Sequence, residues 1–294
     1  MDLTTLPAQS VLSDSIRVVK LDNVNVLCIN HAKARAAISL FGGHLLSYQP
    51  ADKAELIWMS QQAKFDGQTA LRGGIPICWP WFGRIAAPAH GFARTSEWQL
   101  SQHRENEHGV IIELSLQQSA ETLKLWPFQF DARLQIEVAD TLTVTLVVTN
   151  TDQQVWRFSG ALHSYLNVAD IHQVEVTGMG SQYIDSLQDA KLCQGGDILT
   201  IDQSVDRVYT QPEDLITVRD KQLEREVQVR NHGDNCAVIW NPWQQGARAM
   251  ADMPDDGYLT MLCVESTLHA ASLEQGKLLA PGESYQLATT LSAD

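Results

Sequence analysis

Residues 134–150 read LQIEVADTLTVTLVVTN, with apolar and polar side chains alternating on both sides of a short polar break. In the second run the alternation separates two sets of side chains, namely Leu142, Val144, Leu146 and Val148 against Thr141, Thr143, Thr145 and Val147. Successive side chains of a strand point to opposite faces of its sheet, so a period of two indicates a half-buried β-strand. This stretch therefore predicts β-structure rather than an amphipathic helix.

Comparable β-rich runs occur along the whole chain. They are VNVLCIN (24–30), VIIELSLQ (110–117), VEVTG (174–178) and CAVIWN (236–241), and turn-forming clusters such as NTDQQ, NHGDN and PDDG separate them. Helical periodicity is scarce, and no linker-like segment, charge block or internal repeat divides the chain. We therefore predict one all-β domain over residues 1–294, a large antiparallel sandwich or barrel whose last strand follows a turn at Pro281 and Gly282.

Composition limits the classes of partner. Of the 294 residues, 44% are hydrophobic and 19% charged, as is usual for a globular protein with a substantial core. The formal net charge of −14 makes nucleic acid and anionic membranes poor partners, because the long-range field repels polyanions. The chain has no run of 18 apolar residues and starts with MDLTTLPAQS, which lacks signal-peptide features, so we expect a cytoplasmic protein. No feature requires an oligomer, and we expect a monomer.

Residues 72–94, RGGIPICWPWFGRIAAPAHGFAR, combine three arginines and four aromatic side chains with several glycines and prolines. Proline removes a backbone donor and glycine weakens regular elements, so this stretch predicts a loop. Arg72, Arg84 and Arg94 could bind a small anion, since guanidinium groups form paired hydrogen bonds with phosphate oxygens. Surface ion pairing is the competing interpretation, and it is favoured for Arg84. The aromatic side chains could anchor the loop or form a platform for a sugar ring.

His163 is the first candidate for chemistry. A strand over FSGALHSYLNV (158–168) places Leu162 and Leu166 on an apolar face and His163 on the opposite face, with Tyr165 and Asn167. A lone histidine is more often structural than catalytic. The polar neighbours at even spacing describe a surface suited to hydrogen bonding, and both interpretations remain open at this point.

Glu265 is the second candidate, in YLTMLCVES (258–266). A strand over this segment places Glu265 on the same face as Leu259, Met261 and Cys263. A carboxylate on such a face loses hydration, which raises its pKa towards neutrality, as a general base needs. The alternative is a glutamate near the end of an edge strand that points into water, and the sequence leaves both open.

We expect neither a metal nor a cofactor. His90, His163 and Glu265 are a possible metal-binding set, but no HxH or HxxxH spacing supports one. Five widely spaced cysteines without a CxxC pair argue against a disulfide framework or a zinc knuckle, and we expect several of them to be buried as small apolar side chains. The absence of a P-loop, a dinucleotide fingerprint and a GxSxG elbow argues against nucleotide chemistry and acyl transfer.

Six segments, taken in order, carry a resemblance to a known family. They are RGGIPICWPWFG (72–83), HGFAR (90–94), ALHSYL (161–166), VDRVY (205–209), WNPW (240–243) and VES (264–266). Together they resemble the glucose-6-phosphate 1-epimerases, also called hexose-6-phosphate mutarotases, and in particular their bacterial YeaD branch. The resemblance extends from about residue 40 to residue 290. It implies the large antiparallel β-supersandwich of the galactose-mutarotase-like superfamily and a sugar phosphate as the partner.

The resemblance also implies the two catalytic roles. The family pattern makes His163 the general acid and Glu265 the general base. Interconverting anomers requires that the anomeric hydroxyl loses a proton while the ring oxygen gains one, so that the ring opens, C1 rotates and the two transfers reverse. Glu265 would take the O1 proton, and His163, kept charged by a nearby carboxylate, would protonate O5.

The remaining implied roles concern substrate binding. Arg72 and Arg94 match the substrate-contacting arginines and would hold the phosphate, while Asp206 matches an acid that hydrogen-bonds sugar hydroxyls. His90 matches the histidine before GFAR, which would orient the ring oxygen or a hydroxyl. Relatives often have glutamine before this histidine, whereas this chain has Ala89. The alternatives are a carbohydrate-binding protein without turnover and a glycoside hydrolase or lyase, although glycosidases need two carboxyl groups across the scissile bond.

Overall fold

The computed structural model describes Leu3 and residues 5–294, and its regular elements are mainly antiparallel strands. The first twelve strands in chain order are β1 (Ala8–Val11), β2 (Ile16–Leu21), β3 (Val24–Asn30), β4 (Ala34–Ser39), β5 (His44–Pro50), β6 (Ile77–Cys78), β7 (Gln99–Asn106), β8 (Gly109–Gln117), β9 (Phe130–Val138), β10 (Leu142–Asn150), β11 (Trp156–Phe158) and β12 (Gly160–Leu162). The remaining strands are β13 (Tyr165–Asn167), β14 (Val174–Thr177), β15 (Gln182–Asp185), β16 (Lys191–Gln194), β17 (Ile198–Thr200), β18 (Val205–Tyr209), β19 (Ile216–Asp220), β20 (Arg225–His232), β21 (Cys236–Asn241), β22 (Met261–Leu268), β23 (Lys277–Leu279) and β24 (Ser284–Ala293).

Helical structure is limited to short elements. In the described part of the chain the α-helices are α1 (Ala120–Leu125) and α2 (Trp243–Arg248). Single 3₁₀ turns occur at Ala93–Thr95, Ile171–Gln173, Ser186–Gln188, Gly257–Thr260 and Leu273–Gln275. None of the helices among these residues has the length and hydropathy needed to cross a bilayer.

The strands form three large sheets. Strands β1–β5 make a five-stranded meander, while a nine-stranded sheet has the order β17-β14-β19-β20-β24-β10-β9-β8-β7. An eight-stranded sheet has the order β16-β15-β18-β21-β22-β12-β6, with β13 also paired to β22. The alternating stretch at 134–150 lies in β9 and β10, which pair antiparallel from Leu142 opposite Val138 to Asn150 opposite Phe130. The four other β-rich runs lie in β3, β8, β14 and β21, so the predicted antiparallel β-sandwich is confirmed.

One hydrophobic core draws on all three sheets. It includes Ile38 of the meander, Leu134 of the nine-stranded sheet and Val264 of the eight-stranded sheet. A shared core of this kind is the property expected of one folding unit. We therefore propose that residues 1–294 form a single domain.

The eight-stranded sheet has one face on this core and carries polar groups on the other. Leu262 and Val264 of β22 belong to the core, whereas Cys263 and Glu265 alternate with them and point to the opposite face. The Phe158–Val168 segment behaves as predicted, because Leu162 and Leu166 are core residues. The segment is assigned as β12 and β13 with a break at His163, whose N–H donates to Pro76, but the register against β22 is continuous across this break.

The loop at 72–94 is irregular, as predicted, apart from β6 and the 3₁₀ turn at its end. Trp79, Trp81 and Phe92 are fully buried, and the Trp79 ring packs edge-on against Phe130 at 4.6 Å between centroids. Gly91 has a φ of +71°, and a β-carbon there would overlap the carbonyl oxygen of Trp79. Buried aromatic anchors and a glycine that permits close backbone contact therefore fix the path of this loop.

Candidate active site

His163 and Glu265 are neighbours on adjacent strands of the eight-stranded sheet. His163 Nε2 lies 3.4 Å from Glu265 Oε1, and the two residues are only 9% and 1% exposed. Strand β22 lies between β21 and the β12–β13 segment, so Glu265 is central in the sheet. The alternative of a water-facing glutamate on an edge strand is therefore wrong.

Aromatic side chains hold the imidazole in place. The His163 ring stacks on Tyr165 with 4.8 Å between centroids and 8° between planes. The Trp240 ring meets His163 edge-on at 6.2 Å, and Trp58 stacks on the far side of the pair, against Tyr165 at 5.9 Å. Such packing leaves the ring little rotational freedom, which is what a proton donor with a fixed target needs.

Burial pushes the pKa values of the pair in opposite directions. Desolvation, reinforced by the Asp206 charge, raises the pKa of Glu265 well above its usual value. Desolvation also lowers the pKa of His163 well below 6.5, and His90, Arg72 and Arg94 lower it further. These directions favour a neutral imidazole beside a protonated carboxyl group in the ligand-free protein, whereas the sequence alone led us to expect a charged His163. This neutral pair and the imidazolium–carboxylate pair differ only in the position of one proton.

Three polar atoms at the site are buried without a hydrogen-bond partner among the described residues. They are Glu265 Oε2, His163 Nδ1 and Arg94 Nε. Buried polar atoms are nearly always hydrogen bonded, because an unmet donor or acceptor costs desolvation free energy. Their grouping in one place indicates a surface arranged to bond a polar ligand.

Arg72 is connected to the pair through Tyr165. Its Nη1 donates to the Tyr165 hydroxyl at 2.9 Å, and its Nε donates to Asp252 Oδ1 at 3.2 Å. Behind it, Nε2 of His44 donates to the carbonyl of Gly73 at 2.7 Å, which anchors the loop to β5. The loop thus presents one guanidinium in a fixed position beside the imidazole.

Arg94 and His90 come from the other end of the same loop. Arg94 Nη2 donates to the carbonyl of Ala89 at 2.8 Å, so the residue that replaces the family glutamine acts here through its backbone. The His90 ring lies 5.1 Å from the half-buried Phe82 and 5.8 Å from His163. Desolvation, followed by the charge of Arg94, lowers the pKa of His90 to about 3 and keeps it neutral. Among the aromatic side chains of the loop, Trp79, Trp81 and Phe92 are buried and Phe82 is half-buried, so Phe82 is the one placed to contact a ligand.

Asp206 lies on β18, where it is opposite Trp240 of β21. This register places it on the face that carries Glu265, whose pKa its charge raises. Desolvation also raises the pKa of Asp206 itself. The six residues predicted from the sequence therefore occupy one region, with Arg84 exposed at its margin, where its charge still lowers the pKa of His90.

Sequence reasoning missed several residues that shape this region. Tyr165 lies in ALHSYL and Trp240 in WNPW. Their alternation with core residues could have placed Tyr165 beside His163 and Trp240 beside Asp206. Asp252 and His44 contact the loop from 180 and 29 residues away, and no local pattern marks them. Cys263 was recognised on the face of Glu265 but was given no role.

The fold and the site define a galactose-mutarotase-like β-sandwich. A galactose mutarotase related enzyme from Lactobacillus acidophilus shares this fold, with a TM-score of 0.73 at 16% identity over 92% of this chain and 97% of that one. Residues 25–292 match the aldose 1-epimerase family, and the chain belongs to that family.

Two relatives of higher sequence identity carry epimerase or mutarotase names. A candidate glucose-6-phosphate 1-epimerase of Salmonella typhimurium is 39% identical over 276 residues, which cover 92% of each protein. A crystal structure of a candidate mutarotase (YeaD) from Salmonella typhimurium superimposes with a TM-score of 0.92 at 36% identity, covering 99% of this chain and 97% of that one. The similarity therefore extends over the whole sandwich, including the strands and the loop that form the site.

Proposed function

We propose that this protein interconverts the α and β anomers of an aldohexose 6-phosphate, with glucose 6-phosphate as the first substrate to test. The observation that carries the proposal is the buried His163–Glu265 pair, with 3.4 Å between Nε2 and Oε1 and two arginines beside it. The name of the Salmonella typhimurium relative supports the choice of substrate. The family supports the reaction class, an isomerisation at C1 of an aldose.

Ring opening requires two proton transfers on one hemiacetal. The Glu265 carboxylate takes the proton of the anomeric hydroxyl while the His163 imidazolium donates a proton to the ring oxygen, and the C1–O5 bond breaks. The products are the open-chain aldehyde, a protonated Glu265 and a neutral His163. Rotation about the C1–C2 bond presents the other face of the aldehyde, and reversal of both transfers closes the ring as the second anomer. Each positioned acid or base contributes roughly 10²–10⁴-fold.

The ligand-free protein favours a neutral His163 beside a protonated Glu265, which is the proton arrangement that follows ring opening. The charges of Arg72 and Arg94 help to hold His163 neutral. A phosphate dianion bound to these arginines would cancel much of that field, because the opposite charges would lie within a few ångströms of each other. Phosphate binding would therefore raise the pKa of His163 from its ligand-free value and favour the imidazolium that ring opening requires.

The positions of the other residues support the binding roles that the family resemblance implies. Arg72 and Arg94 clamp the phosphate, which supplies binding free energy remote from C1. Asp206 accepts hydrogen bonds from sugar hydroxyls, and neutral His90 bonds the ring oxygen or a hydroxyl. The reaction requires no metal or redox cofactor, and we propose a monomeric cytoplasmic enzyme whose partner is the sugar phosphate rather than nucleic acid or a membrane.

Anomer exchange measured by NMR tests the proposal. The α-H1 signal of glucose 6-phosphate is saturated and the β-H1 signal is followed with and without protein, since the uncatalysed exchange sets the background. We expect faster exchange with wild type, a smaller acceleration with free glucose, and none with Glu265→Gln. Binding of hexose phosphates without any acceleration of exchange would overturn the proposal and leave a sugar-phosphate-binding protein.

A further inference from the structure

Cys263 completes a three-residue cluster with His163 and Glu265. One ligand atom from each residue, the thiol sulfur, an imidazole nitrogen and a carboxylate oxygen, lies within 4.8 Å of the others. All three residues are buried. The 3.4 Å between His163 Nε2 and Glu265 Oε1 is close to the ligand–ligand edge of a tetrahedral zinc site, about 3.3 Å for bonds of about 2.0 Å.

An independent observation concerns Glu265. Its Oε2 atom is buried and has no hydrogen-bond partner among the described residues, although the residue is only 1% exposed. The cluster therefore holds a carboxylate oxygen that no described residue bonds, beside a sulfur that the proposed reaction does not use.

We propose that Cys263, His163 and Glu265 form a binding site for one soft divalent cation of the Zn²⁺ and Cd²⁺ class. Sulfur, imidazole nitrogen and carboxylate oxygen together are the donor set that zinc takes, with water as a fourth ligand. Mg²⁺ and Ca²⁺ prefer sites built wholly of oxygen, so the cluster selects against them.

Metal binding at this cluster need not add positive charge beside the nearby arginines. An uncharged cluster without metal carries two protons, one on the thiol and one shared by His163 and Glu265. A bound dication replaces both protons, which leave to solvent, and it faces a thiolate, a carboxylate and a neutral imidazole. The net charge is again zero, so binding adds no positive charge for Arg72 and Arg94 to repel.

Metal binding at this site has a consequence that rests on the proposed function. The metal occupies the imidazole lone pair and the carboxylate that would move protons between O1 and O5. A metal-bound enzyme therefore cannot open the ring, and the cation acts as a reversible inhibitor rather than a cofactor.

The first test is a titration of the whole protein with Cd²⁺ in the absence of sugar, read by thiolate-to-cadmium ultraviolet absorption. We expect the absorption to saturate at one equivalent in wild type and in Cys236→Ser, a control for a second buried thiol. Cys263→Ser should lose this absorption. No saturable absorption in wild type, or the same absorption in Cys263→Ser, would overturn the site.

The second test measures inhibition of anomer exchange by Zn²⁺, with Mg²⁺ as the control cation and chelator to reverse the effect. Loss of the sulfur ligand in Cys263→Ser should raise the half-inhibiting Zn²⁺ concentration by about tenfold or more, since even mutation of a residue that only supports a metal ligand typically costs about 10–100-fold in affinity. Equal inhibition of both proteins would overturn the inhibitory role. A wild type that binds Cd²⁺ but accelerates no sugar phosphate would refute the proposed function while supporting the metal site.

Discussion

The site joins two regions of opposite character, strand β22 with its neighbour β13, and the loop at 72–94. Glu265 and His163 belong to a continuous antiparallel register, so the hydrogen-bonded sheet fixes the distance between them. Arg72 and Arg94 lie on an irregular path that buried Trp79 and other aromatic anchors hold. Under the proposed function the two regions divide the tasks, with proton transfer on the sheet and recognition of the phosphate on the loop. Substitutions in the two regions should therefore change different measured quantities.

The largest effect is expected on the sheet, from Glu265→Gln. The amide keeps the shape of the side chain but cannot accept the O1 proton, so the rate of anomer exchange at saturating glucose 6-phosphate should fall by roughly 10²–10⁴-fold. Because the proposed phosphate contacts lie on the loop, the substrate KM should change little. NMR exchange rates over a range of substrate concentrations give both quantities.

Glu213→Gln is the matched control, since Glu213 is exposed. It should exchange anomers at the wild-type rate. Full activity of Glu265→Gln would contradict the assignment of proton transfer to this strand.

The second effect concerns His44, which ties the loop to β5 through the Gly73 carbonyl. Desolvation lowers the pKa of this fully buried histidine from 6.5 to about 4. The unfolded chain therefore binds the His44 proton more readily than the folded protein does, and the contribution of His44 to stability is complete above pH 6.5 and is lost as the pH falls to 4. The loss amounts to about 3 kcal/mol.

Urea unfolding of wild type and His44→Gln at pH 7 and pH 4 measures this contribution. The difference in the free energy of unfolding between the two proteins should change by about 3 kcal/mol across this range. Exposed His108 provides the control, and His108→Gln should follow wild type at both pH values. Parallel curves for wild type and His44→Gln would show that the loop anchor does not respond to pH.

The third effect separates phosphate recognition from chemistry. Arg94→Ala removes a charge-assisted contact of about 1.5–3 kcal/mol, so kcat/KM for glucose 6-phosphate should fall by about 10–100-fold. The value for free glucose should fall much less. Arg84→Ala, at an exposed position of the same loop, should leave both values near wild type. Equal losses on both sugars with Arg94→Ala would remove the phosphate role.

The same contrast explains what the sequence could predict. Period-two alternation identified the strands and predicted that His163 and Leu162 lie on opposite faces of the sheet. Both predictions depend only on the local backbone. Alternation does not reveal which strand is central, so the burial of Glu265 stayed open until the sheet order was known. The lowered pKa of His163 depends on its burial and on the charges of Arg72 and Arg94, which approach it only in the folded protein. On the loop, residue types and the family resemblance predicted the roles, but no pattern predicted its contacts.

The smallest effect tests the link between the two regions. Tyr165 stacks on His163 with its ring and accepts a hydrogen bond from Arg72 with its hydroxyl. Tyr165→Phe keeps the ring and removes one hydrogen bond, worth about 0.5–1.5 kcal/mol, so kcat/KM for glucose 6-phosphate should fall by up to about tenfold. The loss should be smaller with free glucose, because the hydroxyl acts through the arginine.

Tyr285→Phe is the matched control, since the Tyr285 hydroxyl donates to the Gly233 carbonyl and takes no part in the site. It should lower the free energy of unfolding by a similar amount without changing either kcat/KM value. A Tyr165→Phe variant with equal losses on the phosphorylated and the free sugar would show that the hydroxyl supports His163 rather than Arg72. Tyr165 would then belong wholly to the sheet, and the two regions would act on the substrate independently.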